Sequence, residues 1–218
     1  DRQEEGQGES ISYFARWTDR YKEAREYLYG TMETEPDEEA AHEIMMEEAE
    51  HGNAYAMHDM GKIYAQGIGC EADKEKADVW YQKALAAMHY VEQKKKNTYL
   101  EYRIGKMYQY GLGTDENLEQ AAEWFSKAAA KEHKYALYSL GMLYLQGKGV
   151  EQNEETAYSL LFRSYSKGNP YAAYELGKLY EAGCGTEKNQ EKSENCYRAA
   201  FLGFLNLEKK SKDDTLWY

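Results

Sequence analysis

Five histidines, three cysteines and several carboxylate clusters are the side chains with obvious chemical capacity in this sequence. His42, His51, His58, His89 and His133 share no metal-ligand spacing with a cysteine or with a carboxylate pair. His58 and Asp59 are adjacent, and adjacent residues on a helix point in different directions, so they do not read as a catalytic dyad. Cys70, Cys184 and Cys196 have no paired spacing, and their odd, sparse count suits a reducing compartment such as the cytoplasm. Cys184 falls in a turn, with nothing nearby in sequence to lower its pKa. Glu47, Glu48 and Glu50, and the run Lys94–Lys96, read as solvated helix faces, and Met45, Met46, Met60 and Met107 as core filler. Paired glycines of the form G-x-G invite a phosphate-loop reading. Phosphates, however, prefer helix N-termini, and these glycines follow a helix, at its negative end. The residues point away from an enzyme, and no metal or cofactor site is expected.

What remains is a pattern suited to recognition. His58, Lys62 and Gln66 form its first group, followed by Tyr102, Lys106 and Tyr110, then Tyr138, Met142 and Gln146, then Tyr174 and Lys178. Tyrosine offers flat, amphipathic contact area, and aromatics are enriched at binding surfaces. The competing expectation is that these tyrosines pack between structural units.

Composition limits the partners. The 218 residues carry a formal net charge of -12, with 42% apolar residues and 22 tyrosines but only two prolines. Such an acidic chain is repelled by phosphate backbones and anionic lipid surfaces, so neither nucleic acid nor membrane is an expected ligand. No run approaches the roughly 18 apolar residues of a membrane span. The opening DRQEEGQGES is too polar for a signal peptide. The absent initiator Met leads to the expectation that an upstream piece is missing or removed.

The elements that position the pattern are internal repeats. Gly61, Gly105, Gly141 and Gly177 lie 44, 36 and 36 residues apart. Each is followed at fixed offsets by a tyrosine (Tyr64, Tyr108, Tyr144, Tyr180) and by a glycine pair (Gly67/Gly69, Gly111/Gly113, Gly147/Gly149, Gly183/Gly185). An Asp/Asn column (Asp73, Asn117, Asn153, Asn189) and an Ala/Ser column (Ala77, Ala121, Ala157, Ser193) come next. In YALYSLGMLYLQGKGV, Ala136, Leu140, Tyr144 and Gly147 make one helical stripe. The mid-helix glycine costs about 1 kcal/mol against Ala, which close approach of a second helix would offset. The glycine pair ends this helix A. The Asp/Asn column N-caps a helix B that buries Ala77, Trp80, Tyr81 and Ala84 or Ala121, Trp124, Phe125 and Ala128. No hairpin can bury its face alone, so the hairpins must stack.

The patterns A-x-x-x-L-G-x-x-Y-x-x-G-x-G (Ala136–Gly149) and DKEKADVWYQKA (Asp73–Ala84) resemble the Sel-one-like repeat, a relative of the tetratricopeptide repeat. The resemblance covers roughly Pro36 to the C-terminus. It departs at Leu100, which replaces the first Ala, and at Leu160 and Cys196, which replace the Trp. It implies an all-α, right-handed solenoid of about five stacked helical hairpins. Residues 1–9 are expected as a disordered polar tail and 10–53 as a degenerate first repeat, with a helix over about Ser10–Tyr29. Residues 54–218 are expected as four repeats plus the start of a further one in a single solenoid domain. A shift of 116 residues supports that start, because it lays Leu100 and Tyr102 on Leu216 and Tyr218. The same shift predicts helices B of the second and fifth units about two turns longer than the others. Tetratricopeptide-like solenoids place helices A on the concave side. The resemblance therefore puts His58, Lys62, Tyr102, Lys106, Tyr110, Tyr138, Met142, Tyr174 and Lys178 in a groove. The implied function is a non-catalytic scaffold that binds a protein or an extended peptide, acidic and with apolar anchors. The alternative is a repeat tail on a larger enzyme, such as a relaxase of bacterial mobile elements.

Overall fold

A computed structural model of the chain describes residues 12–31 and 34–213. Among these residues there are ten helices and no strand. They run α1 (Asp19–Tyr29), α2 (Glu38–Glu50), α3 (Ala54–Gln66), α4 (Lys74–Lys94), α5 (Thr98–Tyr110), α6 (Leu118–Ala130), α7 (Lys134–Gln146), α8 (Glu154–Ser166), α9 (Pro170–Ala182) and α10 (Gln190–Asp213). Consecutive helices pack in pairs, α1 with α2 through α9 with α10, and each pair packs on the next. The arrangement is an all-α solenoid of helical hairpins. The expected longer helices are present: α4 has 21 residues and α10 has 24, against 13 in α6 and α8. The expected tail at 1–9 and the turn of helix at Leu216 and Tyr218 lie outside the described residues.

One element differs from expectation. The helix expected over Ser10–Tyr29 begins only at Asp19, capped by Thr18, whose side chain accepts from the Tyr21 N–H. The preceding residues are extended, because Phe14 is paired elsewhere. Its N–H donates to the Gly52 carbonyl (3.0 Å) and its carbonyl accepts from the Ala54 N–H (2.8 Å). Trp17, which continued the helical spacing, lies outside the helix yet packs against Tyr21, ring centroids 4.9 Å apart.

The hairpin turns repeat one set of bonds. The first glycine of each pair is a left-handed C-cap: Gly67, Gly111, Gly147 and Gly183 return N–H bonds to Ile63, Met107, Leu143 and Leu179. The chain then turns so that the N–H of Asp73, Asn117, Asn153 or Asn189 donates to the carbonyl of Tyr64, Tyr108, Tyr144 or Tyr180, at 2.9–3.0 Å. Asp37 donates in the same way to Tyr27. That bond sets the register of the first unit and puts Ala24, fully buried, where the other units have the marker glycine.

The two kinds of glycine do different work. The marker glycines seat the side chains of helix B. A Cβ on Gly61, Gly105 or Gly177 would lie 2.6 Å from the ring of Tyr81, Phe125 or Tyr197, and one on Gly141 would lie 3.0 Å from Leu161. The second glycine of each pair, expected only to help end helix A, instead presses on the backbone of the preceding unit. Gly69 meets Glu38, Gly149 meets Leu118 and Gly185 meets Glu154, each the first residue of its helix. Gly113 instead meets Tyr81 and Gln82, two turns into α4, so the third unit docks about 10 Å further along its predecessor than the others do. Trp80 is correspondingly only half-buried, whereas Trp124 is buried.

These contacts rank three substitutions. Gly149→Ala combines a left-handed φ of 69° with a clash against the Leu118 backbone, and should cost on the order of 3 kcal/mol. Gly105→Ala meets the fully buried Phe125 ring and should cost about 1–3 kcal/mol. Gly141→Ala meets a flexible leucine and gains helix propensity of about 1 kcal/mol, so it should be close to neutral. Urea unfolding midpoints at unchanged m-value check the order; equal midpoints for all three would contradict it.

Candidate functional site

The side chains singled out from the sequence all lie on the A helices α3, α5, α7 and α9, but they fall into two groups. His58, Lys62 and Tyr102 are tied into the molecule. His58 Nδ1 receives the Arg103 guanidinium at 2.8 Å, and its ring packs on Tyr81. Lys62 Nζ donates to the Tyr29 hydroxyl at 2.8 Å. Tyr102 lies 4.8 Å from the His133 ring and 5.9 Å from Phe125, between repeats, and burial raises its pKa. Tyr138 is half-buried and packs on Tyr171, and Met142 is half-buried beside it. The open group is Tyr110, Tyr174, Lys106 and Lys178. Tyr110 is 59% exposed and takes the Lys106 ammonium on its hydroxyl at 3.0 Å. Tyr174 is 48% exposed, and Lys178 pairs with Glu175 at 2.8 Å.

Two residues of the first unit extend the pattern. With Ala24 in the marker position, Tyr21 takes the place of His58 in the next unit and Arg25 that of Lys62. The ten-residue step from Tyr27 to Asp37, one longer than in the other units, hid this register in the sequence. Together with Arg103 these residues build a buried ionic cluster. Asp59, 2% exposed, accepts from Tyr21 Oη at 2.7 Å and from Arg25 at 2.8 Å, and Arg103 stands 3.9 Å away. Aromatic rings wall the cluster: the Arg25 guanidinium lies over Tyr29 at 4.9 Å and that of Arg103 over Tyr99 at 5.8 Å. Burial acts to raise the Asp59 pKa, but the Arg25 and Arg103 guanidinium groups hold it well below the usual carboxylate range.

The remaining chemistry is structural. Burial, with Arg103 beside it, lowers the His58 pKa to about 4. His133 is the N-cap of α7, accepting from the Ala136 N–H through Nδ1 at 3.2 Å. Asn53, Asn97 and Asn169 hold the corresponding positions of α3, α5 and α9, a column that spacing alone did not bring out. Burial and Lys134 lower the His133 pKa to about 4. Burial pushes the Cys184 thiol up to about 11, assisted by Glu154, and raises the Cys70 and Cys196 thiols as well. Among the described residues no group of three metal-ligating side chains could hold an ion, and no helix is long and apolar enough to cross a membrane.

The ionic cluster and the buried histidines each have a measurable consequence. Asp59→Asn removes the carboxylate between two guanidinium groups and should cost about 3–5 kcal/mol in chemical denaturation. The two histidines make stability pH-dependent in a defined direction. Their folded pKa lies below the unfolded value of 6.5, so the unfolded chain binds protons more tightly. Their contribution is complete above pH 6.5 and is lost as the pH falls toward 4. His133→Asn keeps the cap without the titration. It should match the parent within about 0.5 kcal/mol at about pH 7.5 and exceed it by about 1 kcal/mol at about pH 5; parallel pH–stability curves for the two proteins would refute the role of His133.

The geometry has counterparts among known proteins. A Sel1 repeat family model matches residues 21–45, 54–87, 99–133, 134–169 and 170–202. The Sel1 repeat protein from Oxalobacter formigenes is 23% identical with a TM-score of 0.67, over 88% of this chain and 73% of that one. The protective antigen c5321 of uropathogenic Escherichia coli, described as displaying an SLR fold, is 27% identical with a TM-score of 0.61. The match covers 88% of this chain but only 40% of that one. The immunity protein Pa5087 from Pseudomonas aeruginosa is 21% identical with a TM-score of 0.51, over 95% and 89% of the two chains. Comparison with curated proteins gave no match. The repeat matches span most of the chain and fall on the hairpins that the glycine contacts define, and by them the protein belongs to the Sel1 repeat family.

Proposed function

We propose that this chain is a non-catalytic scaffold that holds an extended segment of a protein partner along its A-helix face. Sel1 repeat proteins generally serve as protein-interaction scaffolds. The observation that carries the reading is the Lys106–Tyr110 pair. In the middle of the array, a tyrosine ring 59% exposed has its hydroxyl held by a lysine, so apolar area faces solvent in a fixed orientation. Tyr171 and Tyr174, 46% and 48% exposed, continue this surface on α9, with Lys178 beside them, and Tyr138 and Met142 lie between on α7. In tetratricopeptide-like solenoids this face lines the concave groove.

Scale supports an extended ligand. Packed helices sit about 8–10 Å apart and an extended peptide advances about 3.3 Å per residue, so each repeat spans about three peptide residues. Apolar or aromatic anchors would meet the tyrosines, and carboxylates the cations. The net charge of -12 argues against nucleic acid, and three unpaired thiols suit a reducing compartment, the cytoplasm.

The B-helix face supplies the control, since Val79 and Phe162 are 48% and 44% exposed there. Peptides of about twelve residues selected against the parent chain should lose about tenfold in affinity with Tyr110→Ala or Tyr174→Ala. Val79→Ala and Phe162→Ala should bind as the parent does. Loss confined to the Val79 and Phe162 variants would place recognition on the B helices and overturn the reading.

A further inference from the structure

We infer that the A-helix face carries a carboxylate-binding subsite where the Arg103 side chain of α5 reaches α3, formed by Arg103 and Lys62; this rests on the peptide-binding reading and names the group that the first units take.

The inference starts from how the cations of this face are neutralised. The other buried carboxylates of the A helices each hold a lysine of their own: Glu101 takes Lys131 at 2.6 Å and Glu175 takes Lys178 at 2.8 Å. Where Arg103 reaches α3 the ratio inverts. Asp59 is the only described carboxylate within 4 Å of Arg103, and that contact is long, 3.9 Å, because Arg25 occupies the same carboxylate at 2.8 Å. The two better hydrogen bonds of Arg103 go to neutral acceptors, the His58 ring at 2.8 Å and the Tyr99 hydroxyl at 3.3 Å. Lys62 donates to the Tyr29 hydroxyl and has no carboxylate within ion-pair distance among the described residues.

His58 connects the two cations. His58 and Lys62 lie one turn apart on α3, and Arg103 contacts His58 directly. Since His58 accepts from Arg103, its ring is neutral and adds no competing charge or anion. A guanidinium with donors to spare beside an ammonium fits a carboxylate through charge-assisted hydrogen bonds, and removal from water by the surrounding rings strengthens them. Tyr29, Tyr55 and Tyr99 supply those rings: Lys62 lies over Tyr29 at 4.8 Å and Arg103 over Tyr55 at 6.0 Å. Lys106 has only a phenolic partner as well, but it is on the exposed edge of α5 beside Tyr110.

A carboxylate could come from an Asp or Glu side chain or from a peptide C-terminus, and two pairs of probes separate them. N-acetyl-Phe-Glu-Phe-amide is compared with its Gln counterpart, and N-acetyl-Phe-Phe with a free C-terminus is compared with its amide. Amide ¹H–¹⁵N spectra of the full chain should show saturable shifts centred on His58, Lys62 and Arg103 with one or both acidic probes, and none there with the neutral ones. Lys62→Gln should weaken the acidic probe about tenfold, the loss of one charge-assisted contact, while Lys62→Arg should stay within about threefold of the parent. Lys62 is half-buried and its ammonium meets only a hydroxyl, so both variants should fold, which avoids relying on the more deeply set Arg103. Equal shifts with acidic and neutral probes, shifts centred elsewhere, or indifference to Lys62→Gln would overturn the subsite. The outcome is independent of the Tyr110 and Tyr174 variants. Loss of the subsite with those variants still impaired leaves the groove reading standing, and the converse leaves the subsite without the groove.

Discussion

Each hairpin is held to the one before it by a backbone contact that leaves no room for a side chain. Gly69, Gly113, Gly149 and Gly185 sit in left-handed turns against the peptide units of the preceding helix B. Only a residue that tolerates positive φ and lacks a Cβ satisfies both conditions. The contact sets the distance between units and also their offset, because where the turn lands on the previous helix decides how far the next hairpin slides along it. Inside the second to fifth hairpins the marker glycine does the equivalent job against a ring or leucine. Two close approaches, one within a unit and one between units, therefore generate the whole array.

At the α4–α5 junction the offset changes, and the packing around it changes too. The turn at Gly113 lands two turns into α4, so the third unit packs on the far part of that helix, where Met88 is buried and His89 reaches Tyr108 and Trp124. The end of α4 extends past the start of α3, and the extended N-terminal segment fits beside it: Tyr13 packs edge-on against Tyr90 at 5.8 Å, and Trp17 approaches Tyr99 at 6.2 Å. The same junction carries the Arg25–Asp59–Arg103 cluster. A buried carboxylate shared by two guanidinium groups adds little net stability by itself, because desolvation offsets most of the attraction. It does make the packing of α1, α3 and α5 specific, since each contributes one charge that the others must meet.

Much of this was legible in the sequence because glycine and capping residues act locally. A left-handed C-cap needs glycine, and an N-cap needs a short side chain with an acceptor, so their columns survive as fixed spacings whatever surrounds them. The long helices α4 and α10 came from an eight-residue insertion for the same reason. The misses have the opposite character. The spacing places the start of α1 too early because Trp17 keeps the helical period, and only the distant Gly52–Ala54 segment reveals that Phe14 is paired. The first unit's register was hidden by one extra loop residue and by Ala24 in place of glycine. His133 reads from sequence as a packed or solvated histidine, although the asparagines at the same offset identify it as a cap.

The tyrosines mark where spacing stops being informative. Tyr102, Tyr138 and Tyr174 share one offset in the repeat, yet Tyr102 is wedged against His133 and Tyr135, Tyr138 leans on Tyr171, and Tyr174 is open. The difference lies in the next helix A, which places rings beside the first two, whereas no described hairpin follows α10. Tyr110 has helices on both sides of its unit and still projects from the last turn of helix A. A residue that remains open inside a stacked array has no packing role to explain it, which makes the Lys106–Tyr110 pair a better guide to the binding face than the tyrosine stripe as a whole.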